Sequence, residues 1–253
     1  MRRPGWLRFN ERSLPSALDL ENQVLVGTHH KTGTVWLSRI FKKICDQYAL
    51  SYINNDVDRP KDGFDVWFHN HSQFNLSEMG QGYRGIHMIR DPRDRIVSGA
   101  FYHQTSKEEW LHIKYPALGN MTYQEKINSY SSFESQLLFE MEHTGGRDIE
   151  EMLSWNYENT SFLELKYEHL MQDTDLVIFH RTFTFLGFPG ATIPGLLQIA
   201  YDNSLFSGFK SAHARSGNSN QWQEHFTPRV KSRFQELFGD AVERLGYEGG
   251  ADW

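Results

Sequence analysis

The sequence is most informative first through what it lacks. Cys45 is the one cysteine in 253 residues, so no disulfide can form within the chain and a secreted disulfide scaffold is excluded. A reducing compartment fits, and a cytoplasmic protein is expected. No stretch approaches the ~20 apolar residues of a membrane span, and no apolar run follows Arg2-Arg3. Neither signal peptide, anchor nor stable membrane insertion is therefore expected. Basic charge is not in excess, since 26 Lys and Arg stand against 32 Asp and Glu for a net charge of -6. That balance argues against coating nucleic acid or an anionic membrane, both of which need a broad basic surface. Any anion site must be local. Repeats, low-complexity tracts and Pro/Ser-rich linkers are also missing.

What is present can build a large core: 39% of residues are hydrophobic and 14% aromatic, which fits a single domain over 1–253. Val24 to Gly27 reads as a short buried strand, and the apolar spacing from Val35 to Tyr48 reads as a helix. Phe64–Phe68, Gly85–Ile89 and Ser161–Leu165 read as further strands. Asp91-Pro92 offers an N-cap and a first helical residue, and helices are also expected over Thr122–His143, Asp175–Leu186 and Pro228–Leu245. Strands separated by helices predict an α/β fold, a three-layer, doubly wound domain around a mostly parallel sheet. Ligands of such sheets bind at the carboxyl ends of the strands, which directs attention to the loops after Val26 and Ile89.

The first loop, Gly27-Thr28-His29-His30-Lys31-Thr32-Gly33-Thr34, sets glycines, hydroxyls and a lysine between a strand and a helix N-terminus, a setting that suits phosphate. A Walker A loop has its lysine directly after the second glycine, whereas Lys31 precedes Gly33. An ordinary nucleoside triphosphatase is thereby disfavoured. In the second loop, Arg90 ends an apolar strand and Ser98 falls about two turns into the next helix, a guanidinium and a hydroxyl able to grip one phosphate. The intervening Arg93, Asp94 and Arg95 read as a solvated charged face.

These residues resemble the sulfotransferases that use 3'-phosphoadenosine-5'-phosphosulfate (PAPS). His30-Lys31-Thr32-Gly33-Thr34-Val35-Trp36-Leu37 is similar to that family's P-K-S-G-T-T-W-L loop, and Arg90 to Ser98 to its R-[DN]-P-[KR]-D-x-x-V-S element. Lys166-Tyr167-Glu168-His169-Leu170 resembles Y-E-[DE]-L, and Arg215-Ser216-Gly217 with Gln221 to Thr227 resembles the late R-K-G-x-x-G-D-W-K-N-x-F-T element. All four stand in the family order, within roughly residues 20 to 247. The resemblance implies that Lys31 and the amides of Thr32, Gly33, Thr34 and Val35 hold the phosphosulfate. Trp36 and Tyr167 would contact adenine, and Arg90, Ser98, Arg215, Ser216 and Gly217 would surround the 3'-phosphate. His30, Ser216 and Asn220 replace the family's usual Pro, Lys and Gly. Of a late K-x-x-x-T-V-x-x-x-E dimer motif, matched against Gln223, Thr227, Pro228 and Ser232, only Thr227 survives, so the oligomeric state stays open.

Sulfuryl transfer builds negative charge on the leaving 5'-phosphate, which Lys31 is suited to neutralise, and in principle needs no metal. The acceptor must lose a proton, a task for histidine near neutral pH. By the resemblance, the base lies between the two phosphate loops, where His71 is the candidate and His69, two residues back, the alternative. A metal held by that histidine pair is a further reading. The acceptor is expected to be a small molecule, lipid or carbohydrate bearing a hydroxyl or amine. Phe101, Tyr102, His103, Trp110, Phe133, Phe206 and Phe209 are candidates either for its cavity or for the core. Rival functions are a divergent small-molecule kinase and a catalytically inactive nucleotide-binding module.

Overall fold

Val24, Leu25 and Val26 are apolar on both strand faces and fully buried, as a central parallel strand requires. They form the middle of β1 (Gln23–Gly27). The computed structural model describes residues 18–56, 60–61, 63–79, 82–207 and 219–247. After β1 come α1 (Thr34–Tyr48), β2 (Tyr52–Asn54), β3 (Val66–His69), β4 (Tyr83–Ile89) and α2 (Pro92–His103). Next are β5 (Lys114–Tyr115), β6 (Met121–Thr122), α3 (Tyr123–Asn128), α4 (Phe133–Glu142) and α5 (Thr144–Ser154). The chain continues through β7 (Phe162–Lys166), α6 (Tyr167–Gln172), α7 (Val177–Phe185) and α8 (Ile193–Asp202). Last come α9 (Trp222–His225), α10 (Pro228–Phe238) and α11 (Ala241–Arg244).

Contacts divide the chain into two units. The first, residues up to Ile89 together with Asn156–Gly217, holds a five-stranded sheet in the order β2-β3-β1-β4-β7, with every pairing parallel. From β1 the chain crosses to the edge strand β2, returns through β3 beside β1, and then crosses to β4 and β7 on the other side, the doubly wound pattern expected. Its switch point lies between β1 and β4. Val24, Val26, Val66, Phe68, Ile86 and Met88 present one sheet face to Leu37, Ile40, Phe41 and Ile44 of α1, joined by Phe179, Phe183 and Leu196. The i, i+3, i+4 spacing along α1 places that stripe on one side, and each large aliphatic or aromatic side chain so buried contributes roughly 1.5–3 kcal/mol. Cys45 is buried in the same cluster, and burial pushes its thiol up to about 12, so it is inert as a nucleophile at neutral pH.

The second unit, Arg90–Trp155 with Asn218 onward, is helical apart from the antiparallel pair β5 and β6. Among its buried apolar residues, Ile96, Val97, Leu137 and Ile149 included, it encloses an ion network. Arg95 bonds both Glu140 and Asp148, and Glu140 also accepts from His103 Nδ1 at 2.8 Å and from Tyr123 Oη at 2.9 Å. Burial works against the Glu140 charge, but His103 and Arg95 outweigh it and hold the carboxyl below its ordinary range. Arg93, Asp94 and Arg95 are therefore not a solvated face: their exposures are 2%, 0% and 0%. Asp94 and Arg95 are held by partners distant in sequence, and Arg93 by the neighbouring Asp91.

Two expected helices are each divided. In place of one helix over 122–143, Thr122 caps α3 in a capping box with Glu125, and Ser132 starts α4 by accepting from the Ser135 amide. Serines that compete for backbone bonds break the helix between them. The closing helix stops at Gly239, in the left-handed region at φ 53°, before α11 begins.

Candidate active site

The loop after β1 is folded around one residue, His29. Its carbonyl accepts from the Thr32 amide at 3.1 Å, from Thr32 Oγ1 at 2.8 Å and from Thr34 Oγ1 at 2.9 Å, while its own amide donates to Thr32 Oγ1 at 2.9 Å. These bonds close a tight turn in which Lys31 (φ 69°) and Gly33 (φ 105°) both adopt the left-handed conformation. Alternation of right- and left-handed residues aims successive amides into one concavity, a nest for anions. Gly33 has no substitute here, because a Cβ would lie 2.7 Å from Met88 Cε and 3.1 Å from Tyr167 Cδ2.

Gly33 is also the N-cap of α1, and it supplies no side-chain cap; the first turn carries no acidic residue. The helix of 15 residues thus presents its positive end without a carboxylate of its own. Lys31, Gly33 and Thr34 are partly exposed, Thr32 is buried, and Val35 is 42% exposed on the first turn. Trp36 packs edge-on against Tyr167 at 6.4 Å and Phe179 at 5.9 Å. Its buried indole Nε1 meets no hydrogen-bond acceptor among the described residues. From Thr34 and Val35 an open groove of about 470 Å³ runs past Ser38, Arg39 and Lys42 toward Tyr52, Asn54 and Asn70.

The two candidate bases differ sharply. His69 is the last residue of β3, 2% exposed, with Nδ1 accepting the His71 amide at 3.1 Å and lying 3.3 Å from Asp56 Oδ1. His71 is partly exposed and sits on the turn beyond the strand. Strand alternation does not relate the two, because β3 ends at His69.

In the second unit, Asp91 caps α2 by accepting from the Arg93 amide at 2.9 Å, and it binds the Arg93 guanidinium through Nε at 2.9 Å and Nη2 at 2.7 Å. Arg93 in turn lies 3.9 Å over the Trp222 ring. Arg90 is 5% exposed, with Nη2 4.0 Å from Asp94 Oδ2. Asp94 accepts from the amides of Asn220 at 2.7 Å and Trp222 at 2.9 Å. Burial pushes its carboxyl up to about 6, against the pull of Arg90 and those amides. Ser98 is partly exposed on the second turn of α2. Arg215, Ser216 and Gly217 lie outside the described residues, as does Phe209. Of the aromatic cavity candidates, His103 is fully buried in the ion network, Phe101 stacks on Phe133 at 4.1 Å, and Tyr102 and Trp110 both bond Glu108. Their partners in the second unit account for these four, with Phe133 serving the packing.

A family model described as the sulfotransferase domain matches residues 68–246. The chain belongs to that family. The match begins after the β1 loop and contains His71, Arg90, Ser98 and Tyr167. Human sulfotransferase 2A1 is 26% identical over 185 residues, an alignment covering 64% of this chain and 58% of that protein's length. Among solved structures, mouse sulfotransferase SULT7A1 complexed with PAP aligns with a TM-score of 0.60 at 18% identity, over 90% of this chain and 86% of the other. Retinol dehydratase in complex with androsterone and the inactive cofactor PAP aligns at 0.54 and 15% identity, over 92% and 84%. These two likenesses establish a shared α/β fold. Sequence reasoning singles out the loop, Arg90 and His71 as candidates and gives no role to His29, whose signal is only its place at the start of the loop.

Proposed function

We propose that this sulfotransferase-family chain moves a sulfuryl group from PAPS to a hydroxyl or amine acceptor, releasing adenosine 3',5'-bisphosphate (PAP). The observation that carries the reading is the uncapped N-terminus of α1 behind a turn with Lys31 and Gly33 in the left-handed region. Amides of Gly33, Thr34 and Val35 would hold the 5'-phosphosulfate, while the Thr32 amide, expected to join them, is engaged by the His29 carbonyl. Lys31 would stabilise charge as it grows on the leaving phosphate oxygen, an interaction stronger in the transition state than in the ground state. Trp36 and Tyr167 would contact the adenine, and the unsatisfied Trp36 Nε1 is compatible with an acceptor on a bound nucleotide. Arg90 and Ser98, with Arg215, Ser216 and Gly217, would hold the 3'-phosphate.

His71 would take the acceptor's proton, which its exposure on a turn favours over the buried, Asp56-facing His69. Lys31 and the loop amides supply the positive charge that the leaving phosphate needs, and transfer is proposed on that ground to be metal-independent. A bisphosphate nucleotide and androsterone occur in the structures named above, and a small-molecule, lipid or carbohydrate acceptor is proposed here on that family basis. No helix among the described residues is long and apolar enough to cross a membrane. A cytoplasmic location accords with the buried, unreactive Cys45.

The reading is tested by thermal-shift titration with PAP, ATP plus Mg²⁺, and buffer, followed by incubation with PAPS and a panel of alcohols, phenols, sugars and amines analysed by mass spectrometry. Stabilisation by PAP and a sulfated product are expected. Stabilisation by ATP and Mg²⁺ alone, with phosphorylated product, would establish a kinase instead.

A further inference from the structure

At the switch point of the sheet lies a chain of three titratable groups that the transfer chemistry does not use. His87 stands in β4, in register with Gly27 of β1 on one side and Glu164 of β7 on the other. Its Nδ1 is 2.6 Å from Glu164 Oε2, and its Nε2 is 2.8 Å from Nε2 of His29. The two rings meet edge to face with centroids 5.0 Å apart. Exposure falls along the chain from 32% at the Glu164 side chain to 1% at His29 and 0% at His87.

Two Nε2 atoms at this distance need one proton between them. A carboxylate only accepts, so Glu164 keeps the proton of a neutral His87 on Nδ1, leaving its Nε2 as a lone pair. His29 must then donate from Nε2. Both effects on His87 are in view: the carboxylate favours a cation, yet it is partly open to water, whereas the ring is wholly enclosed. Burial prevails and pushes His87 down to about 3. With His87 neutral, these two contacts specify one tautomer at each ring.

The end of this chain is the residue on which the phosphate loop closes. Three hydrogen bonds end on the His29 carbonyl and one starts from its amide, so the residue whose ring His87 holds is also the one whose backbone ties Thr32 and Thr34 into the turn. We propose that Glu164, His87 and His29 form a positioning relay, a tautomer-locked chain that fixes the phosphate loop through its hub residue and thereby sets the loop's affinity for the donor nucleotide. The inference rests on the donor-binding reading of the loop. None of the three residues touches the reacting atoms in this account.

His87→Phe keeps ring volume and removes both nitrogens. It should weaken PAP binding about tenfold or more in calorimetry while thermal unfolding stays cooperative, because a buried His29 donor loses its partner. Glu164→Leu, at the more exposed end, should act in the same direction, and Glu164→Gln should recover most of that loss because its carbonyl still accepts from Nδ1. If His87→Phe does not fold, the Glu164 pair carries the affinity test. A purely structural role would lower every melting temperature but leave the affinity of the folded protein unchanged, and that result overturns the proposal. Nitrogen-15 histidine spectra of the wild type provide the readout free of ligand: His87 should carry its proton on Nδ1 and His29 on Nε2. Both rings protonated on Nε2 would overturn the relay alone, whereas a wild type that binds no PAP would overturn the donor reading and with it the relay's role in affinity.

Discussion

The turns from β1 into α1 and from β4 into α2 start in adjacent strands, and each passes a cation before its helix, Lys31 in one and Arg90 in the other. Their helix ends are treated oppositely. At α2, Asp91 caps the first turn and also pairs with Arg93, so the positive end of that helix meets a carboxylate supplied by the chain. At α1 the cap is Gly33, with no side-chain bond and no acid in the first turn. A glycine cap forgoes that side-chain bond at a cost of roughly a few tenths of a kcal/mol relative to Ser, Thr, Asn or Asp. In the proposed function the open end of α1 is the one that takes the donor's anion.

The largest expected effect concerns the chemistry attached to the open end. With an acceptor in hand, His71→Ala should lose on the order of 10² to 10⁴ in turnover while binding PAP normally, the range of a positioned general base. Steady-state rates alongside calorimetry check this; wild-type turnover would place the base elsewhere. A smaller effect comes from making α1 resemble α2. Val35 is exposed, so Val35→Asp should fold well and stabilise the free helix by ~0.3–1 kcal/mol, yet it places a like charge beside the bound phosphate and should weaken PAP at least tenfold. Melting temperature and affinity then move in opposite senses, and a loss of both would break the comparison.

Making α2 resemble α1 should affect stability instead. Asp91→Ala removes a cap and leaves the 2%-exposed Arg93 without its carboxylate, a loss of about 2 kcal/mol or more in urea unfolding. The smallest effect is at Asp94. Burial lifts its carboxyl from 3.8 to about 6, so the folded protein holds this proton more tightly than the unfolded chain. That contribution is fully present below about pH 4 and is lost as pH rises through 6. Asp94→Asn, which keeps an oxygen for only one of the Asn220 and Trp222 amides, should remove this decline with pH at some cost in stability at pH 4. Unfolding curves taken at several values between pH 4 and 7 give the slope; an unchanged slope contradicts the assignment.

How much of this was legible in the sequence depends on the range of the interactions. Asp91-Pro92 and the Lys31–Gly33 spacing act within a few residues, and the elements that they define, β1, α1, β4 and α2, agree with the reading from sequence. Arg95 was misjudged as solvated because its partners, Glu140 and Asp148, follow 45 and 53 residues later. His87 and Glu164 carry no local signal either: only the parallel register of β4 with β7 makes them neighbours. The break between α3 and α4 falls at Ser129 and Ser132, whose side chains bond the local backbone, a signal that apolar spacing alone does not register. Among the candidate site residues, His69 and His71 could not be separated by alternation, since the strand ends between them.

The central claim is that the open end of α1 is the seat of the nucleotide's 5'-anion. Calorimetric titration of the wild type with PAP and with 3'-AMP, which lacks only the 5'-phosphate, tests it directly. The account predicts that 3'-AMP binds at least a hundredfold more weakly, and equal affinities for the two ligands would contradict it.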